Sequence, residues 1–148
     1  MRVAVGSDER THLTDVVVSE IAGRGHDVVL IGPLRDDDLP WPVVSQSLAE
    51  AVASGAADEG VLFCWTGTGA SIASNKVPGI RAALCGDAQT AQGARWWNDA
   101  NVLVMSLRAT SEAIAKEILD AWFSESVRPE ERVFVDQVRQ IETQYGRV

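Results

Sequence analysis

The sequence predicts a doubly wound α/β domain, a five-stranded parallel sheet with helices on both faces and one further helix at the C-terminus. Three observations lead there. Five short runs are apolar almost without a break, as strands buried on both faces are. Segments of helical periodicity separate those runs. The chain has 148 residues, 46% hydrophobic and 23% charged, which suits one packed domain.

The first strand is "RVAVG", Arg2 to Gly6. Leu13, Val16, Val17, Glu20, Ile21 and Arg24 then recur at helical spacing, and Gly23 and Gly25 mark the stop. "DVVLI", Asp27 to Ile31, is the second strand, and the turn-rich "GPLRDDDLPWP" follows it. A helix is expected from Val43 to Ala53, then "GVLFC" as the third strand and a short helix after the loop. "IRAAL" near Cys85 is the fourth strand, Ala88 to Trp96 a helix, "NVLVM" the fifth strand, and Ser111 to Ser124 another helix. The tail places Phe134, Val138, Ile141 and Tyr145 on one helical face. Residues 1–148 thus read as one Rossmann-like domain, with 126–148 as a C-terminal helical tail.

The bulk properties exclude several classes. A net charge of -8 argues against non-specific binding to nucleic acid or an anionic membrane. No apolar stretch approaches the roughly 20 residues that span a bilayer, and "MRVAVGSDER" enters a strand without a signal-like h-region. Cys64 and Cys85 belong to no metal-type spacing, so free thiols in a reducing cytoplasm are expected, with no metal and no cofactor. Asp36, Asp37 and Asp38 read as a solvated loop.

Ligands of doubly wound sheets bind outside the carboxyl ends of the strands. Four segments therefore matter: "SDE" at 7–9, "CWTGTGAS" at 64–71, "GDAQ" at 86–89 and "SLR" at 106–108. In the second, Gly67 and Gly69 permit a sharp turn and a close backbone approach, and Thr66, Thr68 and Ser71 add hydroxyls. The loop is neither a Walker A sequence nor a full G-x-G-x-x-G. It reads either as an anion-binding turn or as a plain strand-to-helix connection. Cys64 is either a small buried hydrophobe or a thiolate favoured by the neighbouring N–H groups, acting as proton shuttle or nucleophile. Cys85 reads as structural. Asp8 is an N-cap or a ligand for substrate hydroxyls, with equal weight from position alone. Arg128 and Arg132 flank Pro129 at a helix start, where they are a surface pair or a bidentate phosphate clamp. Trp96 and Trp97 read as core or interface aromatics, and Asn98 as a cap or a ligand donor.

Together these residues resemble the ribose-5-phosphate isomerase B and galactose-6-phosphate isomerase family, in order and over nearly the whole chain. "VAVGSDE" matches its first strand and SDH motif. "CWTGTGASIASNKVPGIRAALCGD" matches its CGTGxGxSIAANKxxGIRAALCxD block, "WNDANVL" its HNDANVL, and "RPEERV" its RHxxRV tail. The resemblance implies a cytoplasmic, metal-independent aldose–ketose isomerase of a phosphorylated sugar, acting through a cis-enediolate. By the same resemblance Cys64 is the base with Thr66 beside it, and Gly67, Thr68, Gly69 and Ser71 form the anion hole. Asp8 and Asn98 bind substrate, and Arg108, Arg128 and Arg132 bind phosphate. A homodimer, or a dimer of dimers, with sites at the subunit interface is also implied.

Three departures stand out. The histidine of SDH is Glu9, that of HNDANVL is Trp97, and Trp65 replaces a glycine. Both imidazoles, including the one associated with furanose opening, are gone. The expectation is a substrate other than ribose 5-phosphate, such as an open-chain tetrose or tetrulose phosphate. Glu9, Trp65 and Trp97 would then shape its pocket. The alternative is a catalytically silent sugar-phosphate-binding paralogue or partner subunit.

Overall fold

The computed structural model describes residues 1–146. Its strands are β1 (Arg2–Ser7), β2 (Asp27–Ile31), β3 (Glu59–Cys64), β4 (Ala82–Leu84) and β5 (Val102–Ser106). Its helices are α1 (His12–Gly23), α2 (Trp41–Ala53), α3 (Thr68–Ser74), α4 (Ala88–Asn98), α5 (Glu112–Ser124) and α6 (Arg132–Tyr145). Of the expected tail, Arg147 and Val148 lie outside the described residues. Every strand pair is parallel, and the sheet order is β2-β1-β3-β5-β4. The doubly wound reading therefore holds, with β5 inserted between β3 and β4.

Two apolar layers sandwich the sheet. On one face Val3, Val5, Val61, Phe63, Leu103 and Met105 meet Val17 and Ile21 of α1 and Ile118, Leu119 and Trp122 of α5. On the other, Ala4, Leu62, Val102 and Val104 meet Val44, Leu48 and Ala49 of α2 and Ala70 of α3. The three inner strands β1, β3 and β5 are buried on both sides because each side faces helices, while β2 and β4 are partly exposed edges. At the amino end of β3, Glu59 ties α4 and α5 to the sheet. Its carboxylate pairs with Arg95 at 2.8 Å and accepts the Trp122 indole N–H at 2.7 Å.

Several boundaries differ from expectation for local reasons. Strand β4 begins at Ala82, not at Ile80. The Arg81 N–H goes to the Asn101 side chain at 2.8 Å instead of to a ladder carbonyl. Helix α2 starts at Trp41 in spite of Pro42, because a first-turn residue needs no N–H partner. Helix α4 continues to Asn98, where Asp99 turns left-handed at φ 48. Pro129 opens a short 3-10 turn, Pro129–Glu131, and α6 begins only at Arg132. Among the described residues no helix is long and apolar enough to cross a membrane.

Candidate active site

The carboxyl ends of β1, β3 and β5 lie side by side, which brings three of the four segments together. Ser7 is in register with Phe63, and Cys64 with Ser106. Cys64, the last residue of β3, is buried, and its Sγ accepts the Gly67 N–H at 3.2 Å. That bond folds the loop back on the sulfur. Gly67 sits at φ 79, and a Cβ there would lie 2.5 Å from Leu84 Cδ1 and 3.3 Å from the Met105 carbonyl carbon. Both the turn and the packing therefore require glycine. Helix α3 starts at once, and its first backbone bond runs from the Ser71 N–H to the Gly67 carbonyl at 3.1 Å. The N–H groups of Thr68, Gly69 and Ala70 precede that bond and have no carbonyl within the helix to reach. The Gly67 N–H, one of the expected anion-hole donors, is committed to the Cys64 sulfur. The Thr66 and Thr68 hydroxyls bond each other at 2.7 Å.

Asp8 follows the end of β1 beside this loop and is half-buried. Burial pushes its carboxyl above the usual range. A hydrogen bond from its own backbone N–H partly offsets this, and the Glu9 charge adds to it. Glu9 is exposed, and its N–H and carbonyl are tied to the Ser7 hydroxyl at 3.2 and 2.6 Å. Arg108 belongs to the same end, with its N–H on the Trp65 carbonyl at 3.0 Å. The Trp65 ring stands 59% exposed beside the loop. "GDAQ" contributes a cap: Asp87 accepts the Thr90 N–H at 2.7 Å and starts α4. The buried Cys85 thiol is pushed up to about 12 by desolvation, with the Asp87 charge adding, so it stays protonated.

Trp97, Asn98, Arg128 and Arg132 are not brought to this place. Asn98 ends α4 just before β5 begins, at the amino end of the sheet, while Cys64 and Ser106 mark the carboxyl end. Arg128 lies with them, its N–H on the Trp96 carbonyl at 3.0 Å. Trp97 is 51% exposed and, with Asn98, borders a groove of about 700 Å³. Ala82 and Ile80 line its sheet side, and Phe134, Val138 and Ile141 of α6 face them. The expected site residues therefore fall into two groups, each beside exposed apolar side chains: Trp65, Ile72 and Leu84 at one, Trp97 and the α6 stripe at the other.

Two residues near the loop went unnoticed in the sequence. The Ser106 hydroxyl donates to the Trp65 carbonyl at 2.9 Å and accepts the Ala109 N–H at 3.1 Å, which joins the loop after β3 to the turn holding Arg108. "SLR" was the available signal. The Trp41 ring lies on Gly69, where a Cβ would come within 3.0–3.2 Å of three ring carbons. Nothing in the Pro-rich segment around it pointed there. His12 is directed to Glu112 at 3.3 Å, and His26 packs on Phe123 with ring centroids 4.6 Å apart. Among the described residues no group of three or more His, Cys, Asp or Glu is placed to hold a metal ion.

Comparison with known proteins agrees with this fold. The family described as Ribose/Galactose Isomerase matches residues 3–141. Ribose-5-phosphate isomerase B of Escherichia coli is 38% identical over 136 residues, 89% of this chain and 91% of that protein. D-erythrulose-4-phosphate isomerase of Pectobacterium atrosepticum is 35% identical over 125 residues, 82% of each chain. The structure of Clostridium thermocellum ribose-5-phosphate isomerase B superposes with a TM-score of 0.90 at 34% identity, over 98% of this chain and 99% of that one. With its sheet, its glycine-turned cysteine loop and nearly its full length matched, this chain belongs to the ribose/galactose isomerase family.

Proposed function

We propose that the chain is an aldose–ketose isomerase of an open-chain, four-carbon sugar phosphate, with Cys64 as its base. The observation that carries the reading is the sulfur at the end of β3 with the Gly67 N–H aimed at it from 3.2 Å. A donor so placed stabilises negative charge on sulfur as a proton comes and goes. Cys64 takes the proton from C2 of the aldose, and the carbonyl oxygen on C1 gains the electron pair as a cis-enediolate. The N–H groups of Thr68, Gly69 and Ala70 receive that oxygen, and fixed donors of this kind commonly contribute about 3 kcal/mol. Thr66 moves the hydroxyl proton between the two oxygens. Cys64 then returns its proton to C1, giving the ketose, with no metal needed.

The four-carbon assignment rests on what surrounds the loop. Trp65 stands in the loop and the Trp41 ring lies on Gly69, and the two family histidine positions carry Glu9 and Trp97. A tetrose phosphorylated on its terminal carbon does not close to a furanose, so it needs no ring-opening acid. The erythrulose 4-phosphate relative supports a substrate of this length.

The site is completed by a second copy. Trp97, Asn98, Arg128 and Arg132 sit at the opposite end of the sheet from Cys64, so they serve a ligand of that loop only from another subunit. In a two-fold dimer each apolar patch then meets the other.

Turnover of four-, five- and six-carbon sugar phosphates by wild type and C64A tests the chemistry. Four-carbon turnover that C64A abolishes supports it, and preferential turnover of ribose 5-phosphate defeats the substrate assignment. A wild type that binds sugar phosphate but turns over none of the panel would favour the silent-paralogue reading, toward which Glu9 and Trp97 point. Mixing inactive C64A and R128A subunits tests the composite site. Random re-pairing should restore about a quarter of wild-type activity, because half of the dimers regain one intact site of two.

A further inference from the structure

Arg128 is held in an unusual way for a cation in a chain of net charge -8. No ion pair to it occurs among the described residues. Its guanidinium carbon instead lies 3.8 Å from the centroid of the Trp96 ring. The ring is itself tethered. Its Nε1–H donates to Glu125 Oε2, and the other oxygen of that carboxylate accepts Gln92 Nε2 at 3.1 Å. The Glu125 carbonyl accepts Arg95 Nε at 3.2 Å, and Trp97 packs edge-on against Trp96 at 6.4 Å. The indole is thus held by Glu125 and Trp97, and Gln92 and Arg95 hold Glu125 in turn.

A guanidinium stacked by its face keeps its N–H groups in plane and directed outward, where a planar fork binds two oxygens of one anion. A flexible arginine must lose its rotamer freedom when the anion arrives, whereas a stacked one has already lost it. We propose that Trp96 is a positioning residue of the phosphate site, a platform that holds the Arg128 guanidinium with its donor edge toward the substrate's phosphate. This rests on the reading of Arg128 as a phosphate ligand. It also gives the Trp96–Trp97 pair separate tasks, with the first ring ordering a cation and the second bordering the groove.

Calorimetric binding of inorganic phosphate and of D-erythronate 4-phosphate, which has no carbonyl to isomerise, tests this without relying on turnover. W96L keeps the apolar volume but removes the π face, and W96F restores a π face. W96L should weaken both probes by about 5- to 10-fold, and W96F should stay within about threefold of wild type. In turnover, KM for the sugar phosphate should rise by the W96L factor with kcat at saturation unchanged, a split that loss of fold does not produce. W96M takes the place of W96L if that variant fails to fold. Wild-type affinity in W96L alongside weakened binding in R128A would overturn the platform alone. Equal losses in W96L and W96F would also overturn it. Wild-type affinity in R128A would defeat the phosphate-ligand reading beneath it.

Discussion

Replacing Gly67 with alanine tests the loop most directly, because two costs can be worked out separately. At φ 79 an L-residue with a Cβ is strained by about 1–2 kcal/mol. The new methyl would also sit 2.5 Å from Leu84 Cδ1 and 3.3–3.4 Å from the Met105 carbonyl. Leu84 is 38% exposed and can swing aside, but the Met105 backbone cannot. We assign the crowding about 1–2 kcal/mol, the low end of overpacking costs. Gly67→Ala should therefore destabilise by about 2–4 kcal/mol. Gly55→Ala, at φ 80 with nothing within 4 Å of its Cβ, should cost only the strain, about 1–2 kcal/mol. Urea unfolding at one fixed protein concentration reads both. With a slope of about 2 kcal/mol/M, the G67A midpoint should fall by roughly 1–2 M. L84A placed on G67A should recover part of the crowding. Turnover should fall as well, since the N–H that meets Cys64 belongs to residue 67. Equal midpoints for G67A and G55A, with G67A turnover within twofold of wild type, would refute the reasoning.

Ser106→Ala removes a bond to the Trp65 carbonyl and strips the Ala109 N–H of its acceptor. A loss of about 1–3 kcal/mol is expected, with kcat down by about 10-fold and KM nearly unchanged. Unchanged kcat would mean that the hydroxyl does not hold the loop in its working position. The Asp8 carboxyl is raised by burial, so its ionisation opposes folding. That penalty is absent below the unfolded-state value of about 3.9 and is fully present once pH has risen past the folded one. Asp8→Asn should therefore melt higher than wild type at pH 7, and the gap should close on acidification. A gap that widens toward low pH would reverse the sign, and loss of substrate affinity in the same variant would report the ligand role.

Much of this was legible because burial leaves a plain trace. "GVLFC" is an unbroken apolar run because helices cover both sides of β3, whereas the edge strand "DVVLI" leaves Val29 exposed, and the limits of both agree with expectation to within a residue. The rule that ligands gather at carboxyl ends drew attention to Asp8, Cys64 and Arg108, which lie at one end of the sheet. Strand order was not legible, because an apolar run does not say which run lies beside it. The start of β4 was hidden by Asn101, a side chain that takes over a ladder position from a distant part of the chain. Motifs written in one line also hid how far apart their residues lie. "WNDANVL" and "RPEERV" look like further pieces of one pocket, and only the direction of α4 places them at the far end. Trp41 could not be found at all, since its contact with Gly69 exists only after α2 and α3 are packed on the same face.

The strand order also sets a sequence of events for a chain emerging from the ribosome. Strand β1 lies between β2 and β3, and the three can pair as soon as residue 64 is free. Strand β4 cannot join them, because its only partner in the sheet is β5. Until residues 102–106 appear, β3 keeps an open edge and β4 waits alone, two exposed templates for pairing with the wrong chain. The arrival of β5 closes both edges and delivers Ser106 and the Leu107 N–H to the backbone of the Cys64 loop. A nascent chain that stalls short of Ser106 is thus both aggregation-prone and without an organised cysteine loop. The last strand to be made completes the sheet and the loop in one step.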